Sequence, residues 1–440
     1  MAALRRRGLR VAAGKVGPDF IDPGYHEIAT GRPGRNLDAW ICRPEQIAPL
    51  AAHAAEGSDV LVIEGVMGLF DGASDNPSVG AADDDPGEER SSSTAHIARL
   101  LDAPVILVID AASTSQSVAA TVHGFATYDP RVRVAGIVLN RVGSDSHEVL
   151  LREALGDLKI PVMGALRRDD AFVWRDRHLG LVPVAEHREE VQRSIERLAS
   201  AMEQHCDLDA IVDLARRAPM LTTPMPLRAD HVADVRVAVA SGPAFSFIYP
   251  DNLEAMEDAG AELVQFDPRS ARALPEHIHA LYVGGGFPEV FAAELAANEP
   301  LLADVRAKVT GGLVTLAECG GLLWLARSLD GKAMASVIPA DAVMTDRLSL
   351  GYRRANALVD NPLLELGVEA RGHEFHYSTI TPKGDALDIA GRFVSGAAGF
   401  ASPRLLASYV HFHFGADIGM AERFVAACAR HEGSGNYPAS

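Results

Sequence analysis

The sequence has few residues of the kinds that mark secreted, membrane-spanning or nucleic-acid-binding chains. Four cysteines occur in 440 residues, far apart and without metal-type spacing, as is typical of reduced thiols in the cytoplasm. No apolar run reaches the roughly 18 residues that a membrane helix needs, and no apolar signal segment opens the chain. Basic residues are outnumbered 41 to 59, for a net charge of −18, so no basic surface is available for a phosphate backbone. We therefore expect a cytoplasmic protein with neither a nucleic-acid nor a membrane partner.

Short apolar strands that alternate with helical patterns are abundant instead. Their spacing predicts an α/β fold with a parallel, doubly wound sheet in each half of the chain. The predicted strands include residues 60–63, 105–109, 134–139, 162–166, 235–240, 262–266 and 280–283. Helical patterns are predicted at residues 115–128, 186–217 and 251–259.

Changes in composition along the chain predict its division into domains. We expect a first domain over residues 1–218, a linker over 219–233 that contains a proline-rich stretch, and a second domain over 234–432. The small, polar residues 433–440 read as a disordered tail. Residues 73–93, rich in acidic residues and broken by glycine and proline, predict a surface loop.

One cysteine stands where a predicted strand turns sharply into a helix. Cys319 follows an apolar strand and precedes Gly320 and a helical apolar pattern, which is how a fold displays a nucleophile. The start of a helix behind the thiol is expected to favour the thiolate. A buried structural cysteine is the alternative.

Glycines and histidines elsewhere in the second half favour the nucleophile interpretation. Three glycines follow the strand at 280–283, and we expect Gly285, Gly286 and Gly320 to offer backbone N–H groups to an oxyanion. Alternation over residues 407–414 predicts one half-buried strand with His411 and His413 on the same face. Together with Cys319, His411 would form an acyl-transfer site. The cluster at 371–377 is expected to make substrate or structural contacts.

Carboxylates in the first half suit a magnesium ion. Asp19 and Asp22 lie on a Gly/Pro-rich loop, and Glu64 ends an apolar strand, where parallel sheets bind ligands. A turn with capping aspartates is the alternative for Asp19 and Asp22, and a helix-capping or turn acid is the alternative for Glu64. Asn140, at the end of another strand, either reads a purine edge or caps a helix.

Seven ordered motifs give the chain a resemblance to a known family. It is similar over nearly its whole length to the cobyrinic acid and hydrogenobyrinic acid a,c-diamide synthases. The motifs are residues 15–23, 36–38, 64–72, 284–289, 317–321, 371–377 and 408–411.

The resemblance implies an ATP-dependent ligase that amidates the a and c carboxylates of a corrin-type macrocycle with ammonia from glutamine. It implies a dethiobiotin-synthetase-like domain followed by a class I glutamine amidotransferase domain. Cys319 would be the nucleophile and His411 its base. Asp19, Asp22 and Asn140 would contact ATP, and Asp22 and Glu64 would hold Mg²⁺. The resemblance leaves open whether the protein forms a homodimer.

The sequence departs from the family pattern at two places. His413 stands where class I amidotransferases often carry a glutamate. The P-loop is missing, because the nearest match has five residues between Gly8 and Gly14 and has Val16 where a hydroxyl should be. We expect about 20 to 25 residues of strand, loop and half helix to be lost. A half-active binding protein, cobyric acid synthase and nickel-sirohydrochlorin a,c-diamide synthase therefore remain alternatives.

Overall fold

The computed structural model of the chain consists of two compact units. The first comprises Met1–Ala39 and Pro44–Pro226, and the second comprises Trp40–Arg43 and Leu227–Ser440. The predicted tail, nearly all of the predicted loop at 73–93 and part of the predicted linker fall outside the described residues, so the domain boundaries stay predictions. The structure describes residues 1–72, 92–169, 176–177, 180–181, 184–221 and 228–432.

The first unit contains parallel strands, as the alternating pattern predicts. These are β1 Val11–Val16, β2 Arg35–Leu37, β3 Val60–Glu64, β4 Val105–Asp110, β5 Val134–Val142, β6 Val162–Arg167, β7 Asp176–Arg177 and β8 Gly180–Leu181. Two three-stranded parallel sheets have the orders β2-β1-β3 and β4-β5-β6. The short strands β7 and β8 pair with each other in antiparallel fashion.

Helices connect and cover these strands. They are α1 Ala2–Arg6, α2 Asp22–Thr30, α3 Pro44–Ala55, α4 Thr94–Leu100, α5 Ser117–Tyr128, α6 Asp145–Leu155, α7 Val184–His205 and α8 Leu208–Arg216. Side-chain caps fix where several of them begin: Ser144 accepts a hydrogen bond from the N–H of His147 at the start of α6. The pattern predicted over 186–217 is therefore two helices, because Asp207 caps a new one.

The second unit is built around a six-stranded sheet. The strands of the whole unit are β9 Val235–Ala240, β10 Ala261–Phe266, β11 Ala280–Val283, β12 Val314–Glu318, β13 Ser328–Leu329, β14 Lys332–Ala333, β15 Asp341–Ala357, β16 Glu369–Thr381, β17 Leu387–Gly391, β18 Val394–Ala398, β19 Phe400–Ser402, β20 Leu405–Ser408 and β21 His411–Phe412. The six-stranded sheet has the order β10-β9-β11-β12-β20-β19, and its strands are parallel except for β19. Because β11 and β12 are parallel neighbours, the loops after them meet at the same sheet edge.

A second, mostly antiparallel sheet and five helices complete this unit. The sheet has the order β14-β13-β15-β16-β21, and β17 pairs with β15 and β18. The helices are α9 Pro250–Asp258, α10 Ala292–Ala297, α11 Glu299–Thr310, α12 Gly320–Leu325 and α13 Gly419–Glu432. None of the described helices in either unit is both long and apolar enough to cross a bilayer.

The prediction of one continuous strand over residues 407–414 is wrong. Strand β20 ends at Ser408, and β21 pairs instead with β16 in the other sheet. The hydroxyl of Ser408 accepts a hydrogen bond from the N–H of Val410 at 3.2 Å, which takes that amide out of a ladder and allows the chain to change sheets. His411 and His413 are also fully buried rather than half-buried.

Candidate active site

Cys319 lies at a sharp turn between β12 and α12. Its backbone has φ 49° and ψ −100°, a conformation that costs a non-glycine residue roughly 1–3 kcal/mol and persists only where the surroundings enforce it. The glycine after the turn is required by space, since a Cβ at Gly321 would lie 2.3 Å from the carbonyl oxygen of Val283. The side chain of Cys319 is 5% exposed. The predicted strand, turn and helix are therefore present around the thiol.

The glycines predicted to cradle an oxyanion lie against this turn. A Cβ at Gly320 would be 3.1 Å from the backbone nitrogen of Gly286. Gly285 is held by two backbone hydrogen bonds of 3.0 Å with Phe247. The structure thus brings Gly285, Gly286 and Gly320 together beside Cys319. The N–H of Gly285 already donates to the carbonyl of Phe247, which contradicts its predicted role, while the role of Gly286 and Gly320 as oxyanion donors stays a prediction.

The imidazole of His411 lies against the same glycines. A Cβ at Gly285 would be 2.5 Å from the ring Cε1 and 3.2 Å from Nε2, so only glycine leaves room for the ring. The opposite ring nitrogen, Nδ1, is 3.9 Å from Oε2 of Glu318. The ring of His373 stacks on that of His411, with 5.1 Å between the centroids. Nε2 therefore faces the glycine loop and Nδ1 faces a carboxyl group.

Glu318 is the centre of a buried hydrogen-bond network beside His411. Its Oε1 accepts from the N–H of Phe412, and its Oε2 accepts from the hydroxyl of Tyr282, each at 3.0 Å. Asn252 donates to the carbonyl of Phe412 at 2.8 Å and accepts from the N–H of Phe414 at 2.7 Å. The side chains of Glu318 and Asn252 thus fix the backbone on the C-terminal side of His411, and Tyr282 holds Glu318 in place.

His413 makes contacts of its own on the next stretch of chain. Its Nδ1 accepts from the N–H of Gly415 at 3.0 Å, and its Nε2 is 3.8 Å from a carboxylate oxygen of Asp251. Its ring also packs on Tyr249, with 4.5 Å between centroids. The contacts of His413 therefore hold the turn at Phe414–Ala416 and α9, whereas the carboxyl group of Glu318 lies beside His411.

Burial dominates the electrostatics of the thiol and the imidazole. It raises the pKa of Cys319 above the ordinary value, the carboxylate of Glu289 adds to the shift, and an N–H bond from Gly320 opposes it. It also lowers the pKa of His411 to about 3. The N–H at the start of α12 therefore favours the thiolate, as expected, but burial outweighs it. Burial thus favours the neutral form of each group.

The cluster at residues 371–377 contributes a buried ion pair near the thiol. Arg353 donates to Glu374 at 2.9 Å, and both side chains are less than a tenth exposed. The ring of His376 stacks on Tyr409 at 3.7 Å, and His373 bonds to the hydroxyl of Tyr249 at 3.3 Å. These are structural contacts of the kind expected from the sequence.

The first unit gathers the predicted acids around a lysine. The Nζ atom of Lys15, on β1, is 2.5 Å from a carboxylate oxygen of Asp22 and 3.2 Å from one of Glu64. His26 bonds to the other oxygen of Glu64 at 2.5 Å. Burial would lower the pKa of Lys15, but the charges of Glu64 and Asp22 outweigh it and hold the pKa above its usual value. The ammonium group therefore stays charged between the two acids.

Asp19 makes the local contacts of a turn or capping acid, whereas Asn140 lies inside β5 and caps no helix, because the cap of the next helix, α6, is Ser144. A carboxylate oxygen of Asp19 accepts from the N–H groups of Ile21 and Asp22, at 2.6 and 3.0 Å, at the start of α2. Asn140 accepts from the N–H of Arg141 at 2.9 Å. Both side chains also lie at carboxyl ends of parallel strands or just beyond them, so their predicted contacts with ATP stay predictions.

The two halves of the sequence match two family models. Residues 236–418 match the CobB/CobQ-like glutamine amidotransferase domain, and residues 1–181 match the CobQ/CobB/MinD/ParA nucleotide binding domain. Hydrogenobyrinate a,c-diamide synthase of Streptomyces coelicolor is 45% identical over 97% of this chain and 93% of its own. The protein of that name from Thermobifida fusca is 43% identical, and cobyrinate a,c-diamide synthase of Synechococcus sp. is 39% identical, at similar coverage. The chain belongs to the a,c-diamide synthase family.

Membership of the a,c-diamide synthase family confirms the resemblance carried by the seven motifs. The chain is a glutamine amidotransferase ligase with a domain of a nucleotide-binding family. The predicted fold class, an α/β synthetase domain followed by a glutamine amidotransferase domain, is confirmed as well. The matched relatives favour this family over the other macrocycle amidotransferases that remained as alternatives.

Several residues of the candidate sites were not predicted from the sequence. Lys15 and Glu318 stand inside the motifs of the resemblance but were given no role, and Tyr282 and Asn252 were not singled out. A signal existed for Glu318, because an acid that directly follows the largely apolar run 313–317 and precedes an apolar helix has to be buried with hydrogen-bond partners. No local signal marks Asn252, since its partners are 160 and 162 residues away.

Proposed function

We propose that this chain uses ATP to convert the a and c carboxylates of hydrogenobyrinic or cobyrinic acid into amides, a step of cobalamin biosynthesis, with ammonia released from glutamine. The observation that carries the proposal is the arrangement in the second unit of a thiol on a strained turn, backbone N–H groups and an imidazole. Relatives named for this reaction span nearly the whole chain and support it.

In the proposed glutaminase reaction, the sulfur of Cys319 attacks the side-chain amide carbon of glutamine while His411 accepts the thiol proton. The amides of Gly286 and Gly320 stabilise the oxyanion that develops. The proton on His411 passes to the departing nitrogen, which leaves as ammonia. Water then attacks the thioester, again with His411 as base, and glutamate is released as the thiol is restored.

In the proposed synthetase reaction, a substrate carboxylate attacks the γ-phosphorus of ATP, and ADP leaves. Ammonia then attacks the acyl phosphate, and phosphate leaves as the amide forms. Lys15 would bind the transferred phosphoryl group through its ammonium, with Asp22 and Glu64 to orient it. Asp19 and Asn140 would contact ATP. These assignments rest on the position of the residues at the ends of β1, β3 and β5.

The donor atoms around Lys15 also suit Mg²⁺. Within the described part of the chain no three histidine, cysteine or acidic side chains form a metal-holding group, but Mg²⁺ usually takes one or two carboxylates, with phosphate oxygens and water as the other ligands. Asp22 and Glu64 would supply those carboxylates. The bound ion would neutralise charge on the phosphate oxygens.

Hydrogenobyrinic acid, which contains no cobalt, is the proposed substrate of the two. Relatives named for hydrogenobyrinate are 42 to 45% identical to this chain, and those named for cobyrinate are 38 to 39% identical. A competition assay with equal concentrations of both acids should yield more diamide of the metal-free acid.

The variant Cys319→Ala tests whether Cys319 acts only in the release of ammonia from glutamine and not in the ATP-dependent amidation. It should make diamide from ATP and free ammonia but not from glutamine, because only the ammonia source is removed. Cys206→Ala, which changes a half-buried cysteine of the first unit, is the matched control and should use both nitrogen donors. Loss of the ammonia-dependent reaction in a folded Cys319→Ala protein, or retention of the glutamine-dependent one, would contradict the proposal.

A further inference from the structure

Glu318, the residue before the nucleophile, takes no part in the chemistry described above. It is a carboxyl group only 2% exposed in the second unit. Burial of a carboxylate costs several kcal/mol unless its oxygens find partners, so its presence at the end of an apolar strand calls for a reason. We propose that Glu318 is a positioning residue that holds the imidazole of His411 through its Nδ1 side during glutamine hydrolysis. This inference rests on the proposed roles of Cys319 and His411.

The two oxygens of Glu318 have different surroundings. Oε1 accepts the N–H of Phe412, the residue directly after His411, so the carboxyl group fixes the backbone that carries the base. Oε2 accepts the hydroxyl of Tyr282 and faces Nδ1 of His411 at 3.9 Å. A carboxylate oxygen has room for a second donor. A small rotation of the ring would bring the N–H at Nδ1 within hydrogen-bond distance.

The orientation of the ring makes this contact useful. Because Nε2 lies beside Gly285, the proton of the thiol has to reach that nitrogen, and the neutral ring must carry its own proton on Nδ1. A carboxylate beside Nδ1 selects this tautomer and stabilises the imidazolium that forms when the thiol proton arrives. Glu318 thus does for His411 what the third residue of a Cys–His–carboxylate triad does.

Its place in the chain lets Glu318 link the nucleophile to the base. It is bonded directly to Cys319, whose N–H donates to the carbonyl of Ser408 at 2.7 Å. Glu374 also acts on His411 electrostatically, but it is paired with Arg353. Asp251 lies beside His413. Glu318 therefore lies beside the His411 ring and also accepts a hydrogen bond from the backbone next to it.

The variant Glu318→Gln tests the carboxylate while it keeps the side chain's shape and an acceptor for Phe412. The kcat for hydrolysis of glutamine should fall on the order of 10²-fold, with KM changed less than about twofold, because only the charged intermediate loses stabilisation. Glu262→Gln, which alters an exposed carboxylate on β10 paired with Arg236, is the control and should match the wild type.

A second variant, Tyr282→Phe, keeps the carboxyl group and removes one donor to it. Burial raises the pKa of Glu318 to about 7, and the hydroxyl of Tyr282 opposes the shift. Loss of that hydroxyl should move the acidic limb of the kcat–pH profile upward, whereas a purely structural role for Glu318 would leave the limb in place. The other titratable groups near this carboxyl or His411 are Cys319, His373, Glu374 and His376.

The outcomes separate this inference from the proposed function. If Cys319→Ala abolishes glutamine hydrolysis but Glu318→Gln keeps kcat within about twofold of the wild type, the inference is wrong and the proposed function stands. The inference is also wrong if Glu318→Gln loses activity only through a raised KM. It is equally wrong if the acidic limb of the kcat–pH profile does not move in Tyr282→Phe. Hydrolysis by Cys319→Ala would overturn the proposed function itself.

Discussion

Residues Cys319 and His411 differ from a preformed thiolate–imidazolium pair. The surroundings that place the two groups together also remove them from water, and burial disfavours the charged form of each. Proton transfer would then accompany attack on glutamine instead of preceding it. The strained backbone at Cys319 and the space left by Gly285 position the thiol and the imidazole. The charges of the thiolate and the imidazolium then develop only during the reaction.

This account predicts slow alkylation of Cys319 at neutral pH. The rate constant for its reaction with iodoacetamide, without glutamine, should rise steadily between about pH 6 and 9, because the pKa of the thiol lies above its ordinary value and only the thiolate reacts. Mass spectrometry of the peptide that contains Cys319 measures the rate, with Cys319→Ala as the control. A rate constant that is high and independent of pH over that range would show a preformed thiolate.

At the scale of elements, the site depends on two parallel strands that end side by side. Strands β11 and β12 are hydrogen-bonded neighbours, so the Gly284–Gly286 loop and the Cys319 turn meet. His411, the proposed base, lies on β21 of the other sheet. This strand has two residues, and hydrogen bonds to Glu318 and Asn252 set its position. The ends of β11 and β12 and the contacts of β21 therefore determine the geometry of the site.

The variant Gly285→Ala tests the fit between the glycine loop and the base. A methyl group there would lie 2.5 Å from Cε1 of His411 and displace the ring. The kcat for glutamine hydrolysis should fall about 10²-fold, as expected for a misplacement of about 1 Å. Gly156→Ala, where a Cβ would meet nothing within 4 Å, is the control. Unchanged hydrolysis by Gly285→Ala would mean that His411 does not work from this position.

These elements also show what the sequence could and could not predict. Apolar runs and glycines predicted β11, β12 and the turn at Cys319, because those signals are local. The path of residues 407–414 was mispredicted, since the hydrogen bonds of Ser408 and the pairing of β21 with β16 override the alternation. Lys15 between Asp22 and Glu64 was missed because the three residues meet only when β1, β3 and α2 are assembled.

At the scale of the whole molecule, the chain carries two kinds of site in two compact units. The second unit holds the thiol, glycines and imidazole of the proposed glutaminase site, and the first holds Lys15 between the carboxylates of Asp22 and Glu64 in a domain of a nucleotide-binding family. A carboxylate becomes an acyl donor only after phosphorylation gives it a leaving group. The proposed reaction therefore needs both sites.

The most direct test of this account is the mass of the product formed from hydrogenobyrinic acid, ATP and glutamine labelled with ¹⁵N in its side-chain amide. The full chain should yield a diamide with ¹⁵N in both new amides, and Cys319→Ala should yield none. Tandem mass spectrometry assigns the amides to the a and c side chains. A product with four amides, amides without the label, or no amide formation by the folded chain would contradict the account.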